Sequence, residues 1–538
     1  MGTELDFLIK NATIYDGLGN KPFCADLGIL QDKIVYIGRQ SGVDAKTSID
    51  ATRKVLSPGF IDVHAHSEFS IFAYPDASSK VFQGVTTEIN GNCGMSCSPI
   101  YGATTSQMEK EFTSNNISQR WATFDDYKGH FKALQPAVNF TTLTGHGNIR
   151  ASVMGYVNEA PSEKQMEDMA LLLKKSAQQG SLGLSTGLIY LPGVYSKTEE
   201  LIELINRSGI QSLIYATHMR SEGDYLLESV NETIEIAQKT GIKIHISHLK
   251  TSGRHNWHKM DRVIEAMESA KANGIHITCD RYPYTASQTS LDAVLPPWVY
   301  EGGNEAEIER LKDKNVVNRL RNELAHTLAK RGEGNIDSTK PDDYWNSVMI
   351  SRVHNSKNRH IEGKRLAELA EQFSMSPLTL LINTLIEEKL DVDAIYFSMS
   401  DENLRKVLLL DNCMIGSDSS LKGFDIAGNP HPRGFGTFAG FIRNFSVEKG
   451  LLPLETAIYK MTGLAASTFD IKHRGVIAKG AFADIVIFNP EEFKDMATYD
   501  NPKQKPVGLE HLFVNGVLTV FNNQLTGKRA GRVLMPPS

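Results

Sequence analysis

Apolar and polar positions change texture twice along the 538-residue chain. Over residues 5–57 the short apolar runs Phe7–Lys10, Ala12–Tyr15, Gly28–Leu30 and Ile34–Ile37 are broken by Gly, Asn and Asp, which predicts strands joined by turns. From Gly475 the same texture returns in Ala483–Phe488 and Leu512–Val517, where Asn515-Gly516 between apolar residues is a strong hairpin signal. About 55 residues build a poor core alone. The two ends, 1–57 and 475–538, are therefore predicted to form one small β-sandwich domain, with two independent β caps as the simpler alternative.

Between them, apolar runs alternate with helical stretches. The runs are Gly59–Val63, Thr86–Asn90, Asn139–Thr144, Leu182–Thr186, Ser212–Thr217, Lys243–Ser247, His276–Cys279 and Cys413–Ser417. The segments Ala160–Gln179, Glu222–Thr240 and His258–Asn273 carry apolar residues at three-to-four spacing. Repeated strand–helix units imply a parallel sheet, and eight of them predict an α/β protein with a TIM-like (β/α)8 barrel over 58–474. The rhythm breaks at about 285–350, a charged stretch with Pro296-Pro297 and Gly302-Gly303. It is predicted to be irregular, and to be a subdomain inserted after strand seven, over the barrel mouth, or else a solvated decoration.

Composition narrows the function classes. Hydrophobic residues make up 41%, charged residues 22%, and the net charge is −6, which describes an ordinary globular chain and gives no basis for binding nucleic acid. No window approaches the roughly 20 apolar residues needed to cross a bilayer, and Met1–Lys10 lacks a secretory pattern, so a cytoplasmic enzyme is the expectation. The 5 cysteines, Cys24, Cys93, Cys97, Cys279 and Cys413, do not form a disulfide framework.

Catalytic groups of such barrels sit at the C-terminal ends of strands. Here strand one ends in His64-x-His66, strand two in Asn92-Cys93, strand three in His146, strand five in His218, strand six in His248 and strand eight in Asp418. Residues two apart on a strand point the same way, so both histidines of the first pair can reach one ion. His218 and His248, taken singly, read as core or surface histidines; from consecutive units at the same end they point to convergence. Cys93 reads either as a thiolate ligand or as a small buried hydrophobe, and Cys97 as the latter. His146 reads as a group behind the ligands or a donor to substrate, and His255 and His258 as solvated loop residues. Asp418 could both coordinate a metal and move a proton.

These residues resemble the amidohydrolase superfamily, through Pro58-Gly59-Phe60-Ile61-Asp62-Val63-His64-Ala65-His66. Gly91-Asn92-Cys93-Gly94, Ser185–Tyr190, Thr217–Gly223, Ile246–Lys250, Tyr282-Pro283-Tyr284 and His431-Pro432-Arg433 narrow the resemblance to the N-acyl-D-amino-acid deacylases, or D-aminoacylases. The resemblance implies one tightly held Zn2+ on Cys93, His218 and His248, with His64, His66 and Asp418 as a weaker second position. It implies Asp418 as the acid/base, and Arg433, Lys250, Tyr190, Tyr282 or Tyr284, and Arg220 as contacts to a small-molecule N-acyl amino acid, with His146 as a further donor. Alternatives are hydrolysis of D-configured dipeptides or other N-blocked amino acids, a hydantoinase- or dihydroorotase-type cyclic-amide hydrolase, or a non-catalytic scaffold. Strand four has no lysine to bridge two metals, which disfavours the cyclic-amide reading. Ser419 stands where relatives are expected to carry glycine.

Overall fold

The computed structural model describes residues 4–39, 42, 44–340 and 343–536; residues 1–3 and 537–538 of the terminal segments and 341–342 of the interrupted stretch lie outside the described residues. The middle of the chain closes into a barrel of parallel strands, numbered here β1 (Phe60–Asp62), β2 (Val85–Asn90), β3 (Asn139–Thr142, continued by Thr144–Gly145) and β4 (Gly183–Gly187). It continues with β5 (Ile214–His218), β6 (Lys243–Ile246), β7 (Ile277–Arg281) and β8 (Cys413–Ile415). Neighbours pair in parallel in chain order. A parallel bridge from Ala65 to Ser419 joins the last strand to the first. Every residue of β2, β4 and β5 is buried, as expected where helices cover the outer face and side chains fill the interior.

Local signals set the helices. Glu163–Gln178 opens on a reciprocal capping box between Ser162 and Gln165. Leu226–Thr240 stops at Gly241, whose φ of 74° a side chain would disfavour.

The two chain ends share one nine-stranded sheet, in which Val55–Pro58 pairs antiparallel with Ile485–Phe488. The sheet curls back through a bridge between Lys33 and Phe482 and encloses Ile9, Leu27, Ile34, Ile485 and Phe513. Phe7–Lys10 and Ala12–Tyr15, read as two strands, are one strand, Leu5–Ile14, with a register shift between Ile9 and Ala12 and Asn11 in the left-handed region at φ 61°. Asn515-Gly516 forms the hairpin, with Val514 opposite Val517 and φ of 49° and 77° at the two turn residues.

The interrupted stretch runs further than 285–350 and is not irregular. A three-stranded antiparallel sheet, Ser287–Ser290, Val392–Tyr396 and Val348–Val353, carries the helices Asn304–Lys312 and Lys314–Arg331 before its last two strands, and Leu366–Gln372 and Pro377–Glu387 between them. It has an apolar core of its own, including Leu320, Trp345, Ile350 and Leu381. Its later half has the same strand–helix texture as the barrel, so apolar periodicity alone does not mark where the barrel resumes. Among the described residues no helix is long and apolar enough to cross a membrane.

The hairpin tip yields a stability test. A Cβ on Gly516 would lie 1.9 Å from the Gln31 carbonyl oxygen at a φ of +77°. Gly516→Ala is expected to destabilise the terminal sheet by about 1–3 kcal/mol, read as a lower melting temperature; an unchanged melting temperature would show that the turn is not constrained.

Candidate metal centre

Each barrel strand delivers its polar residue at or just past its last hydrogen-bonded position, where side chains face the mouth. Two groups of ligand atoms result, His64, His66, Cys93 and Asp418, and Cys93, His218 and His248, with the atoms of each within 4.8 Å of one another. Cys93 belongs to both. Its Sγ lies 3.3 Å from His64 Nε2 and 3.5 Å from His248 Nε2. The His218 and His248 rings meet edge to face with centroids 4.4 Å apart. Asp418 Oδ1 stands 3.5 Å from His64 Nε2 and 3.3 Å from His66 Nε2.

The backbone is bent to achieve this. Cys93, His248 and Asp418 have φ of 53°, 38° and 50°, a region residues with side chains enter at a cost of about 1–3 kcal/mol each. Their neighbours hold them there. The Asp418 N–H donates to the His64 carbonyl at 2.8 Å, and the His248 N–H donates to Asp280 Oδ1 at 3.0 Å. Beside Cys93, the Gly94 N–H donates to Ser185 Oγ at 3.1 Å and the Gly91 N–H to Glu68 Oε1 at 2.6 Å.

Three carboxylates behind the ligands escaped the sequence reading. Asp280, in β7, puts Oδ2 3.0 Å from His64 Nδ1 and 2.8 Å from His245 Nε2, which turns His64 Nε2 toward Cys93. Burial opposes its ionisation, but His64 and His245 hold the carboxyl far below the usual range. Glu222 accepts from Lys250 and lies 2.8 Å from His248 Nδ1. Asp62 accepts from Lys80 Nζ at 2.5 Å and from the Ser417 hydroxyl at 2.6 Å, while Lys80 also reaches Glu88 at 2.9 Å, all fully buried. Asp280 could have been flagged as a carboxylate inside an apolar strand, and Glu222 as the residue four after His218.

The donors fit a zinc-like cation. Both ring nitrogens of His218 are buried without a hydrogen-bond partner, an expensive arrangement for an imidazole unless a metal takes one lone pair. Burial opposes a Cys93 thiolate, yet His64 and His248 bring the thiol well below its ordinary range, giving the charged sulfur that zinc prefers. Although burial acts the other way, Asp418 and Cys93 push His66 up to about 9. For Asp418 burial raises the pKa, but Arg433 and His64 override it and hold the carboxyl well below the carboxylate range.

Above the ligands opens a cavity of about 1230 Å³, walled on one side by the barrel mouth and on the other by the inserted subdomain. Of the residues expected at the site, His66, Cys93, Tyr190, His218, Arg220, His248, Lys250, Asp418 and Arg433 line it. Arg433 Nη1 lies 2.8 Å from Asp418 Oδ2. Tyr190 packs its ring against His218, with centroids 5.1 Å apart.

Others are turned away. Arg220 lines the wall, but its guanidinium is saturated by Glu232 at 2.9 Å and 3.1 Å and by the Val194 and Ser196 carbonyls. His146 is buried with Nε2 3.1 Å from Glu200 Oε1, which also accepts from Arg150, and does not reach the cavity. Tyr284 donates to Asp495 Oδ2 at 2.8 Å. Tyr282 is buried beneath the Arg433 guanidinium, 4.8 Å from its ring centroid. His255 is not free in solvent: its ring nitrogens lie 2.6 Å from Asp224 and 3.0 Å from Glu333 of the insertion.

The sequence matches the amidohydrolase family over residues 47–280 and 364–520, a gap that coincides with much of the insertion. It is 32% identical to a D-aminoacylase of Alcaligenes xylosoxydans xylosoxydans over 98% of this chain and 97% of that one. It is 30% identical to an N-acyl-D-glutamate deacylase of the same organism, over 99% and 97%. The fold superposes with a TM-score of 0.82 and 29% identity on the crystal structure of N-acyl-D-glutamate deacylase from Bordetella bronchiseptica with zinc and a phosphonate that mimics the tetrahedral intermediate, covering 99% and 100% of the chains.

Asp280 gives the test of this geometry. Asp280→Asn removes the charge that orients His64 and His245, and is expected to weaken zinc binding by roughly 10–100-fold, measured by competition against a chromogenic chelator. Wild-type affinity in a folded variant would show that Asp280 does not set the centre.

Proposed function

Since the chain belongs to the amidohydrolase family, we propose that it is a metal-dependent enzyme that hydrolyses the amide bond of N-acyl-D-amino acids, releasing a carboxylic acid and the free D-amino acid. One observation carries this reading: a buried cysteine sulfur shared between two groups of histidines, with an arginine-paired aspartate at the edge of a cavity large enough for a small substrate. The relatives named for D-aminoacyl substrates support it.

In this reading Cys93, His218 and His248 hold zinc tightly, and His64, His66 and Asp418 form a weaker position. Zinc bound there supplies a Lewis acid that polarises an acyl carbonyl and makes water acidic enough to react at neutral pH. Asp418 does the proton work. Ionised, it takes the proton of the attacking water, whose oxygen joins the acyl carbon, and returns that proton to the amine nitrogen as the C–N bond breaks. Arg433 keeps Asp418 charged and turned inward, and its remaining N–H groups suit the substrate carboxylate. Lys250 holds Glu222 against His248, a positioning task that leaves its own contact to substrate secondary. Tyr190 borders the ligands and walls the substrate. The insertion, from about 285 to 396, walls one side of the cavity, while the terminal β domain, 1–57 with 475–538, braces the barrel of 58–474. The five free cysteines support a reducing, cytoplasmic setting.

Purified protein assayed for amine release on paired D and L N-acetyl amino acids, alongside elemental analysis, tests the reading. Turnover of the D forms with at least one zinc per chain is expected. Removing the metal with a chelator should abolish turnover, and restoring zinc should recover it; full activity without metal, or activity on L forms alone, would overturn the assignment. Asp418→Asn should keep the tight zinc while kcat falls roughly 10²–10⁴-fold; near-normal turnover would remove Asp418 from the mechanism.

A further inference from the structure

The cavity is lined by cations, and most of them already meet a carboxylate of the protein itself. Arg433 meets Asp418, Lys250 meets Glu222, Arg331 meets Asp224, Arg220 meets Glu232, and Arg352 meets Asp391 and Asp393. Arg254 sits exposed at the rim, against Trp257. Lys422 is different. Four residues past Asp418, partly buried on the same wall as Arg433, it donates to Ser419 Oγ and Ser420 Oγ, each at 2.9 Å, and to the Ser420 carbonyl at 3.4 Å. All three acceptors are uncharged, and among the described residues no carboxylate makes a salt bridge to it.

The placement is built. The Lys422 N–H donates to Ser79 Oγ at 3.2 Å, which ties the loop to the barrel. Gly434 makes room beside it: a Cβ there would lie 2.7 Å from Ser419 Oγ and 3.8 Å from Lys422 Cδ. Ser419, in the position where relatives are expected to carry glycine, thus supplies one of the two hydroxyls that fix the ammonium. Burial, with Arg433 and Lys80 nearby, pushes the ammonium down to about 7 against the weaker opposing pull of Asp393 and Asp418, so a carboxylate bound directly to it would favour its charged form.

We propose that Lys422, fixed by Ser419 and Ser420, determines specificity by receiving a second carboxylate of the substrate. Dianionic N-acyl-D-amino acids are then preferred over those whose only carboxylate is the one on the α-carbon. The inference rests on the amide-hydrolase reading above. The second carboxylate can stand on the amino acid side chain or at the far end of a dicarboxylic acyl group; both present the same chemistry to the ammonium.

Three substrates separate these cases on the zinc-loaded enzyme: N-acetyl-D-glutamate, N-succinyl-D-methionine and N-acetyl-D-methionine. At least one dianion should exceed N-acetyl-D-methionine in kcat/KM by roughly 10–100-fold, the worth of a hydrogen bond between charged groups, expressed mainly in KM. The favoured dianion identifies which end of the substrate faces Lys422. Lys422→Met should reduce that ratio by a similar factor, and Lys422→Arg should restore much of it. A wild-type preference for the monoanion would overturn the proposal, as would a Lys422→Met variant with normal zinc content and melting temperature that loses all three substrates alike. Failure of the hydrolase reading shows separately, as no turnover of any of the three. Calorimetry of N-acetyl-D-glutamate against N-acetyl-D-methionine, on wild type and Lys422→Met, then still reads the subsite, and equal affinities would end the proposal.

Discussion

Everything at the candidate centre depends on the seam where the last barrel strand meets the first. Asp62 and Ser417, 355 residues apart, share a hydrogen bond of 2.6 Å, and Lys80, from the short helix Ser78–Val81, anchors both. A lysine in so dry a place is tolerable only with charges around it, and Asp62 with Glu88 provides them. Removing Lys80 would leave two carboxylates buried without their cation. The cluster therefore acts as a register pin: it sets His64 and Asp418 side by side at the same height, which no interaction near in sequence could do. Such a pin is stiffer than apolar packing alone, because hydrogen-bond directions tolerate less sliding than dispersion contacts.

The sequence carried the strands and the groups at their ends, because a barrel strand is a short apolar run whose first polar residue marks the mouth. Cys93, His218, His248, His64, His66 and Asp418 were legible for that reason. What supports them was not. Asp280 belongs to β7, but its role exists only once β1, β6 and β7 stand together, and nothing in a linear pattern pairs it with His64 and His245. Arg220 and His146 mislead for the complementary reason. Each lies at a strand end with suitable chemistry, yet Glu232 and Glu200, elsewhere in the chain, claim their polar atoms. The insertion was legible at its start, where prolines and glycines break the rhythm, but not at its finish, since Val348–Val353 and the helices after it repeat the barrel's own pattern.

The insertion also separates the shape of the cavity from the placing of the candidate ligands. His255, Asp224, Arg331 and Glu333 join it to the loops after β5 and β6. Its central strand contributes Asp393, paired with Arg352, and Tyr396 to the cavity wall. Rim and floor thus come from two separately packed cores. The barrel can keep the candidate ligands in place while the roof, with its own apolar cluster, varies the shape of the chamber.

The shared terminal sheet has a consequence in time. Val55–Pro58 pairs antiparallel with Ile485–Phe488. Roughly 430 residues must leave the ribosome between them, which at 5–20 residues per second takes roughly 20–90 s. For that interval the opening strands have an unpaired edge and half a core, while the barrel they flank is still being made. The earlier strands must therefore be shielded from other chains until Ile485–Phe488 has been made and can close the sheet against Val55–Pro58.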